Sequence, residues 1–310
     1  MQAIKIGLLG LGTVGSGTAE VLQKNAAEIS RRLGREVRLA MVSSRDAAKA
    51  RSVCPDAQYV ADPFELVRHP DVDIVVELFG GTQIAKELVL EAVENGKHVV
   101  TANKKLLAEY GNEIFPLAEE KNVMVQFEAA VAGGIPIIKA LREGLAANRI
   151  RSIAGIINGT SNFILSEMRE KGSAFADVLK EAQALGYAEA DPTFDIEGND
   201  AGHKITIMSA LAFGTPMNFS ACYLEGISGL DSRNIKYAEE LGYRIKLLGI
   251  TRKTDKGIEL RVHPTLIPES RLLANVNGVM NAVRVNADMV GETLYYGAGA
   301  GALPTASAVV

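Results

Sequence analysis

Acidic side chains and one lysine are concentrated in a segment that runs from Leu185 to Lys204. The carboxylates belong to Glu189, Asp191, Asp195, Glu197 and Asp200. Carboxylates can hold a substrate ammonium group, and a lysine can exchange a proton with a carbonyl or alkoxide oxygen. The segment therefore indicates an active site for a small molecule that carries an amino group.

Asp200 and Lys204 lie one turn apart on the same face if the predicted helix from Asp200 to Phe213 forms. The alternative is an ordinary surface ion pair, which contributes only tenths of a kcal/mol. The spacing alone does not decide between these interpretations. The negative charge that crowds the start of this helix favours an active site.

A glycine pattern near the N-terminus predicts a nucleotide-binding loop. It follows a predicted strand, Ala3–Leu9, and opens a helix predicted from Thr13 to about Arg31. In that context the glycines permit the turn, the approach of a pyrophosphate and close packing of helix on strand, and the helix N-terminus supplies N–H groups for the anion. An ordinary tight turn is the alternative. The expected cofactor-binding residues in this loop are Gly10, Gly12, Thr13, Val14 and Gly15.

Strands and helices alternate from this loop to about Phe127, and the last predicted helix of the series is Asn112–Glu120. Such alternation indicates a parallel, doubly wound sheet. Further on, Pro136 opens a helix predicted to reach about Ala146. The expected fold class is α/β, with a Rossmann-type sheet and a second, α+β domain for catalysis and dimerisation.

The second domain should contain an antiparallel or mixed sheet with one covered face, because apolar residues alternate at Ile258, Leu260 and Val262. A flexible loop is predicted over Tyr296–Thr305, followed by the start of a helix. We expect residues 1–135 and 297–310 to form the dinucleotide-binding domain and residues 136–296 to bind substrate.

The end of the second strand reads Ser-Ser-Arg, with Arg45 just beyond the strand tip. An acidic residue at this point would favour NAD, whereas a guanidinium suits the 2′-phosphate of NADP. We therefore favour NADP, with NAD as a possible second cofactor. The alternative is that Arg45 is an ordinary exposed side chain and that Asp46 caps the next helix.

The composition excludes several classes of protein. The chain has 33 basic and 37 acidic residues and no long basic run, so nucleic acid is not an expected partner. Charges interrupt every apolar run before the ~18 residues that span a bilayer, so we expect no membrane segment and a cytoplasmic location. Cys54 and Cys222 match no redox or metal spacing, and the four histidines match no zinc site.

Four motifs occur in order along nearly the whole chain, and together they resemble homoserine dehydrogenase. They are residues 10–15, 101–104, 158–162 and 186–204, the last being the most diagnostic. The resemblance implies reversible, NAD(P)H-dependent reduction of L-aspartate 4-semialdehyde to L-homoserine in threonine and methionine biosynthesis.

The resemblance also implies roles for particular side chains. Lys204 would be the acid/base, and Lys104 would be a second active-site lysine near cofactor and substrate. Glu189 and Asp200 would bind the substrate amino group or orient a water. The implied substrate-binding residues further include Gly186, Asn158, Gly159 and Thr160, and Thr101 and Gly301 join the cofactor site. The alternative for Lys104 is a surface charge, a description that fits Lys105 better.

A monovalent cation site, with sodium as the expected ion, is implied at Glu128, Val131, Gly133 and Ile135. Backbone carbonyls leave little trace in side-chain identity, so a solubilising Glu128 is the alternative. The resemblance further implies a homodimer formed through the second domain's sheet. Because the last predicted helix stops within about two turns, we expect a catalytic core that lacks the threonine-sensing ACT domain and is insensitive to threonine.

Two other functions remain open at this point. A related enzyme such as aspartate-semialdehyde dehydrogenase shares the two-domain architecture but needs an activated cysteine. A noncatalytic dinucleotide-binding sensor would keep the glycines and dispense with Lys204.

Overall fold

A six-stranded parallel sheet organises the first of two units in the chain. The computed structural model describes residues 2–310; the first unit runs to Gly134 and includes Ala300–Val310. Its strands are β1 (Ile4–Leu9), β2 (Val37–Ser43), β3 (Gln58–Tyr59), β4 (Ile74–Glu77), β5 (His98–Thr101) and β6 (Val125–Gln126). Its helices begin with α1 (Thr13–Lys24), α2 (Ala26–Leu33), α3 (Ala47–Val53), α4 (Pro63–Arg68), α5 (Gln83–Glu94) and α6 (Lys104–Glu120).

The strands are parallel and lie in the order β3-β2-β1-β4-β5-β6. Successive strands are added on one side of β1 as far as β3 and on its other side from β4, so the chain order reverses between β1 and β4. This confirms the predicted doubly wound sheet, in which ligands bind beyond the carboxyl ends of the strands at the reversal point. The strands are rich in Val, Ile and Leu because helices cover both faces. Leu8 and Leu9 are completely buried, and side chains of this size stabilise the fold by about 1.5–3 kcal/mol each.

Two helix predictions in the first unit were wrong. The helix predicted from Thr13 to Arg31 is broken at Asn25, where the backbone leaves helical geometry (φ −105°, ψ 16°) between α1 and α2. The helix predicted from Asn112 begins at Lys104, because the side-chain oxygen of Asn103 accepts a hydrogen bond from Leu106 N and caps it.

The second unit, Ile135–Gly299, contains a six-stranded sheet of order β12-β11-β7-β9-β10-β8. Its helices are α7 (Ile137–Lys139), α8 (Gly159–Lys171), α9 (Phe175–Ala184), α10 (Thr193–Ile196), α11 (Asn199–Phe213) and α12 (Ser232–Glu240). Its strands are β7 (Ile150–Ile156), β8 (Tyr223–Leu224), β9 (Tyr243–Thr254), β10 (Gly257–Pro268), β11 (Met280–Ala287) and β12 (Glu292–Ala298). All neighbouring strands are antiparallel except β10 and β8, so the sheet is mixed, which confirms the prediction of an antiparallel or mixed sheet.

Two further predictions require correction. The loop predicted from Tyr296 starts within β12, which pairs with β11 as far as Ala298. The predicted helix after Pro136 is one α turn, Ile137–Lys139, followed by π-helical residues Ala140–Gly144. These two elements are difficult to predict from sequence because the conformation of glycine-rich and irregular segments depends on contacts with neighbouring strands and helices and not on a local sequence pattern.

The chain ends in α13 (Ala302–Val309), which belongs to the first unit. There α13 packs on α1, and Gly17 has so little room that an added Cβ would lie 2.8 Å from the Ala302 carbonyl oxygen. None of the helices described between residues 2 and 310 is long and apolar enough to span a bilayer.

Candidate active site and cofactor-binding loop

Asp200 and Lys204 form a buried ion pair in the first two turns of α11. The Nζ atom of Lys204 lies 2.7 Å from Asp200 Oδ2 and 2.7 Å from the carbonyl oxygen of Ile157. Asp200 is 3% exposed and Lys204 is 8% exposed. A buried pair carries a desolvation cost that an exposed pair avoids. The interpretation of these residues as an ordinary surface ion pair is therefore wrong.

Asn158 links two carboxylates of this cluster. Its amide nitrogen donates to Asp195 Oδ1 at 2.7 Å and to Asp200 Oδ2 at 2.8 Å, which accounts for both of its N–H bonds. Its side-chain oxygen accepts from Ser161 N at 2.8 Å and so caps α8. One amide thus fixes the start of α8 and the positions of Asp195 and Asp200.

Asp195 belongs to the cluster, although its position in the sequence did not indicate a role. Burial, together with the negative charge of Asp200, raises the pKa of the Asp195 carboxyl. Two carboxylates then face a single ammonium group, that of Lys204. When all three groups are ionised the cluster carries one net negative charge, which suits the ammonium group of an amino acid.

The turn after α9 carries the other proposed substrate contacts. Gly186 has a left-handed backbone (φ +76°), and Thr160 donates from Oγ1 to the carbonyl oxygen of Tyr187 at 2.7 Å. Glu189 is exposed, and among residues 2–310 its carboxylate makes no hydrogen bond or ion pair. The structure therefore brings together Asn158, Asp195, Asp200 and Lys204, and does not bring the Glu189 carboxylate into that cluster.

The glycine loop after β1 has the shape that a dinucleotide requires. Gly10 has φ +95°, and a Cβ there would lie 2.8 Å from the Leu78 carbonyl oxygen. A Cβ on Gly15 would lie 2.0 Å from the Gly10 carbonyl oxygen. The start of α1 therefore packs so closely on the loop after β1 that only glycine fits at this position. A Cβ on Gly12 would meet nothing within 4 Å, which leaves room for a phosphate at the N-terminus of α1. These three glycines therefore fit a bound dinucleotide.

Glu77, at the carboxyl end of β4, is a buried acid that the sequence analysis did not identify. It is 0% exposed, and its carboxylate accepts from Thr101 Oγ1 at 2.6 Å and from Phe79 N at 2.7 Å. Burial raises the pKa of Glu77 to about 7, against the effect of these hydrogen bonds. The sequence feature that could have identified Glu77 is an acidic residue at the end of an otherwise apolar strand.

The hydrogen bonds continue from Glu77 to the start of α6. Thr101 Oγ1 accepts from Asn103 N at 3.0 Å, and the Asn103 amide donates to the Gly81 carbonyl oxygen at 2.7 Å. Lys104 is the first residue of α6 and is partly buried, whereas Lys105 is exposed and lies 3.9 Å from Glu109. This network therefore fixes the segment that presents Lys104.

Arg45 is exposed just beyond β2, and the next residue, Asp46, accepts from Lys49 N to cap α3. Asp46 caps α3 and Arg45 remains at the surface, so the cap does not prevent the Arg45 guanidinium from binding a 2′-phosphate. Gly301 has φ +119° and immediately precedes α13.

The proposed cation ligands lie next to an unusual backbone. Glu128 opens a short 3-10 turn, and Ala132 and Gly133 then adopt left-handed conformations (φ +56° and +51°). Val131 is buried in the same loop, and Ile135 is the first residue of the second unit. Within residues 2–310 no group of three or more His, Cys, Asp or Glu side chains could hold a metal ion.

Neither cysteine is activated. Burial raises the pKa of the Cys54 thiol, and burial raises the pKa of Cys222 to about 12. A thiolate nucleophile is therefore disfavoured at both positions.

The sequence matches two family models that together span nearly all of it. Residues 10–128 match the NAD binding domain of homoserine dehydrogenase, and residues 136–310 match the homoserine dehydrogenase model. The chain belongs to the homoserine dehydrogenase family. It is accordingly an NAD(P)-dependent oxidoreductase, as the sequence motifs predict.

Relatives in the homoserine dehydrogenase family cover the whole chain. The homoserine dehydrogenase of Neisseria gonorrhoeae is 86% identical over 310 residues, and that of Pseudomonas aeruginosa is 63% identical over 312 residues. In both comparisons the alignment covers 100% of this chain and 71% of the relative.

Solved structures of homoserine dehydrogenases have the same fold. The enzyme from Thiobacillus denitrificans superposes with a TM-score of 0.97 at 68% identity, covering 100% of this chain and 72% of that one. A hyperthermophilic archaeal homoserine dehydrogenase in complex with NADPH has a TM-score of 0.82 at 30% identity, covering 99% of this chain and 95% of that one.

Proposed function

We propose that this protein catalyses the reversible reduction of L-aspartate 4-semialdehyde to L-homoserine, with Lys204 as the acid/base. The observation that carries the proposal is the buried cluster of Asn158, Asp195, Asp200 and Lys204. A buried lysine held by a carboxylate at a known distance can transfer a proton in a fixed direction. The reaction belongs to threonine and methionine biosynthesis, and we expect it to occur in the cytoplasm.

The substrate is an amino acid, and its ammonium group needs negative charge in the site. Asp195 and Asp200 supply two carboxylates against the single positive charge of Lys204, and Asn158 keeps both in place. Glu189, Gly186, Gly159 and Thr160 are proposed as further substrate contacts. The Glu189 carboxylate is exposed and is therefore available to a ligand at the surface of the second unit.

In the direction of reduction, the aldehyde carbon gains a hydride and its oxygen becomes an alkoxide. Lys204 donates a proton from Nζ to that oxygen, which gives the alcohol and leaves a neutral amine. In homoserine oxidation the neutral amine of Lys204 removes the hydroxyl proton. Its bonds to Asp200 and to the Ile157 carbonyl fix the direction of Nζ, which is the physical basis of this role.

The nicotinamide cofactor, when bound, supplies or accepts the hydride. Gly10, Gly12, Thr13, Val14 and Gly15 would hold its pyrophosphate, and Thr101, Lys104 and Gly301 complete the proposed cofactor contacts. Arg45 favours NADP, with NAD as a possible alternative, and the archaeal relative noted above was solved with NADPH. Lys104 is proposed as the second active-site lysine, positioned by the Glu77, Thr101 and Asn103 network.

We also propose a sodium ion bound by Glu128 and by carbonyl oxygens of Val131, Gly133 and Ile135, because the left-handed turn at Ala132 redirects the backbone there. The proposed assembly is a homodimer formed through the sheet of the second unit.

The decisive experiment follows homoserine oxidation by the absorbance of NADPH or NADH, with both oxidised cofactors compared. We expect turnover that depends on homoserine, with NADP⁺ used more efficiently. Cofactor binding without turnover of homoserine would instead identify a noncatalytic sensor. Loss of activity after alkylation of a cysteine would support a thiol-dependent enzyme.

A further inference from the structure

A second buried lysine, Lys246 in β9, lies outside the cluster described above. It is 1% exposed and is the largest of the fully buried side chains. Its Nζ atom donates to Asn162 Oδ1 at 3.0 Å, to the Val276 carbonyl oxygen at 2.6 Å and to Asn277 Oδ1 at 3.2 Å. All three acceptors are uncharged, and no carboxylate in residues 2–310 forms an ion pair with Lys246.

Such a lysine is costly for a protein core. A buried ammonium group loses its hydration, and uncharged oxygens compensate it only in part. An apolar side chain of similar length at position 246 would avoid this cost. The three hydrogen bonds of Lys246 therefore offset a cost that an apolar side chain would not carry.

Asn162, on α8, extends the contacts of Lys246 to one loop. Its amide nitrogen lies 3.1, 2.9 and 3.1 Å from the carbonyl oxygens of Val276, Gly278 and Met280, which share its two N–H bonds. Gly278 N in turn donates to Ser166 Oγ, also on α8, at 3.1 Å. Lys246 and α8 together hold the loop of residues 276–280.

This loop presses against the start of α8, where the substrate cluster begins. A Cβ on Gly159 would lie 2.8 Å from the Val279 carbonyl oxygen, so the loop contacts the backbone of Gly159 directly. Gly159 follows Asn158, whose amide binds Asp195 and Asp200. The backbone N–H of Asn162 also donates to the Asn158 carbonyl oxygen at 3.2 Å.

We propose that Lys246 is a positioning residue for substrate binding, because it ties the 276–280 loop to α8 and so keeps Asn158 on Asp195 and Asp200. Lys246 does not touch the substrate; it acts through Asn162 and the loop. The inference rests on the proposed function, since it assigns the substrate to this cluster.

The hydrogen bonding of Lys246 depends on its charge. An ammonium group has three N–H bonds, one for each of the three oxygens, and a neutral amine has only two. Burial lowers the pKa of Lys246 to about 7, and the charges of Arg169 and Arg244 act in the same direction while Glu170 opposes them. Glu239 of α12 faces Arg169 at 3.8 Å. Above a pH of about 7 one oxygen loses its donor, so the KM for homoserine should rise.

The test compares Lys246→Met with Lys253→Met, a matched change at an exposed position of the same strand. We expect Lys246→Met to raise the KM for homoserine about tenfold, equivalent to ~1.4 kcal/mol, with unchanged NADPH affinity. The rise in KM near pH 7 should disappear in this variant and persist in Lys253→Met. A folded Lys246→Met variant with the wild-type KM and pH profile overturns the proposal. A variant that loses thermal stability but keeps the wild-type KM and pH profile also overturns it.

If Lys246→Met does not fold, Asn277→Ala becomes the decisive variant, because it removes one acceptor at a half-buried position. It should raise the KM for homoserine about two- to fivefold, which corresponds to the loss of part of one hydrogen bond's free energy. The rise in KM should also move to lower pH, because the ammonium group of Lys246 loses an acceptor. No change in either quantity overturns the proposal. A wild-type protein that does not oxidise homoserine defeats the proposed function, whereas an active wild type with unaffected variants defeats only the role of Lys246.

Discussion

The Nζ atom of Lys204 lies 2.7 Å from Oδ2 of Asp200, and both side chains are buried. On an exposed helix the same spacing would contribute little to stability or function. Here the pair shares Asp200 with the amide of Asn158, so the lysine is held in one orientation next to a second carboxylate, Asp195.

Lys204→Ala should reduce kcat for homoserine oxidation by about 10²–10⁴-fold, the usual contribution of a general acid or base. NADPH affinity, measured by fluorescence titration, should stay at the wild-type value because the proposed cofactor contacts lie in the first unit. Lys236→Ala, an exposed lysine of α12, is the control. Near-wild-type turnover in Lys204→Ala would exclude the acid/base role.

Asn158→Ala should lower the free energy of unfolding by about 3–6 kcal/mol, since two hydrogen bonds to carboxylates are lost and each is worth roughly 1.5–3 kcal/mol. The KM for homoserine should rise as well, because Asp195 and Asp200 lose their common donor. The control is Asn218→Ala, which removes an exposed cap and should cost about 1 kcal/mol or less. Equal effects of the two substitutions in urea unfolding would contradict the buried network.

Glu77→Gln should change the pH dependence of stability in a defined direction. The pKa of Glu77 is about 7 in the folded protein, whereas the carboxyl group of an unperturbed glutamate has a pKa near 4.5. Between these two values the folded state binds more protons than the unfolded state, so this group makes wild-type stability fall as pH rises from 4.5 to 7. Below pH 4.5 the Glu77 carboxyl is protonated in both states and does not affect the free energy of unfolding. Above pH 7 it is ionised in both states, and the folded protein is destabilised by the full cost of burying the charge.

The stability of Glu77→Gln relative to wild type should therefore increase between pH 5 and pH 8 in urea unfolding. Glu119→Gln, at an exposed position of α6, should show no such trend. The glutamine has one acceptor oxygen for two donors, Thr101 Oγ1 and Phe79 N, so the KM for NADP⁺ should also rise. Parallel pH profiles of Glu77→Gln and wild type would rule out a raised pKa for Glu77.

Arg45→Ala should lower kcat/KM for NADP⁺ about tenfold or more, the expected loss for a hydrogen bond to a charged group. The value for NAD⁺ should change less than about twofold, because NAD lacks the 2′-phosphate. Arg51→Ala, an exposed arginine of α3, controls for the loss of a nearby positive charge. A similar decrease with both cofactors would mean that Arg45 does not read the 2′-phosphate.

The amino-acid sequence by itself determined those features that depend on short-range pattern. The glycines at positions 10, 12 and 15 indicate a phosphate-binding turn because backbone conformation and close packing are local requirements. The alternation of strands and helices indicates the parallel sheet, and the helical repeat places Lys204 one turn after Asp200. Its errors include Asn25, where a helix breaks without a strong signal, and Tyr296, where glycine-rich sequence forms a strand.

Only the tertiary structure decided which distant residues meet. Asn158 reaches Asp200 across 42 positions of the chain, Thr101 reaches Glu77 across 24, and Lys246 reaches Asn162 across 84. Such contacts leave no periodic signal, because each depends on how separate elements pack and not on neighbours in the sequence. Burial likewise follows from packing, and burial distinguishes the Asp200–Lys204 pair from a weak surface ion pair; the proposed proton transfer depends on it.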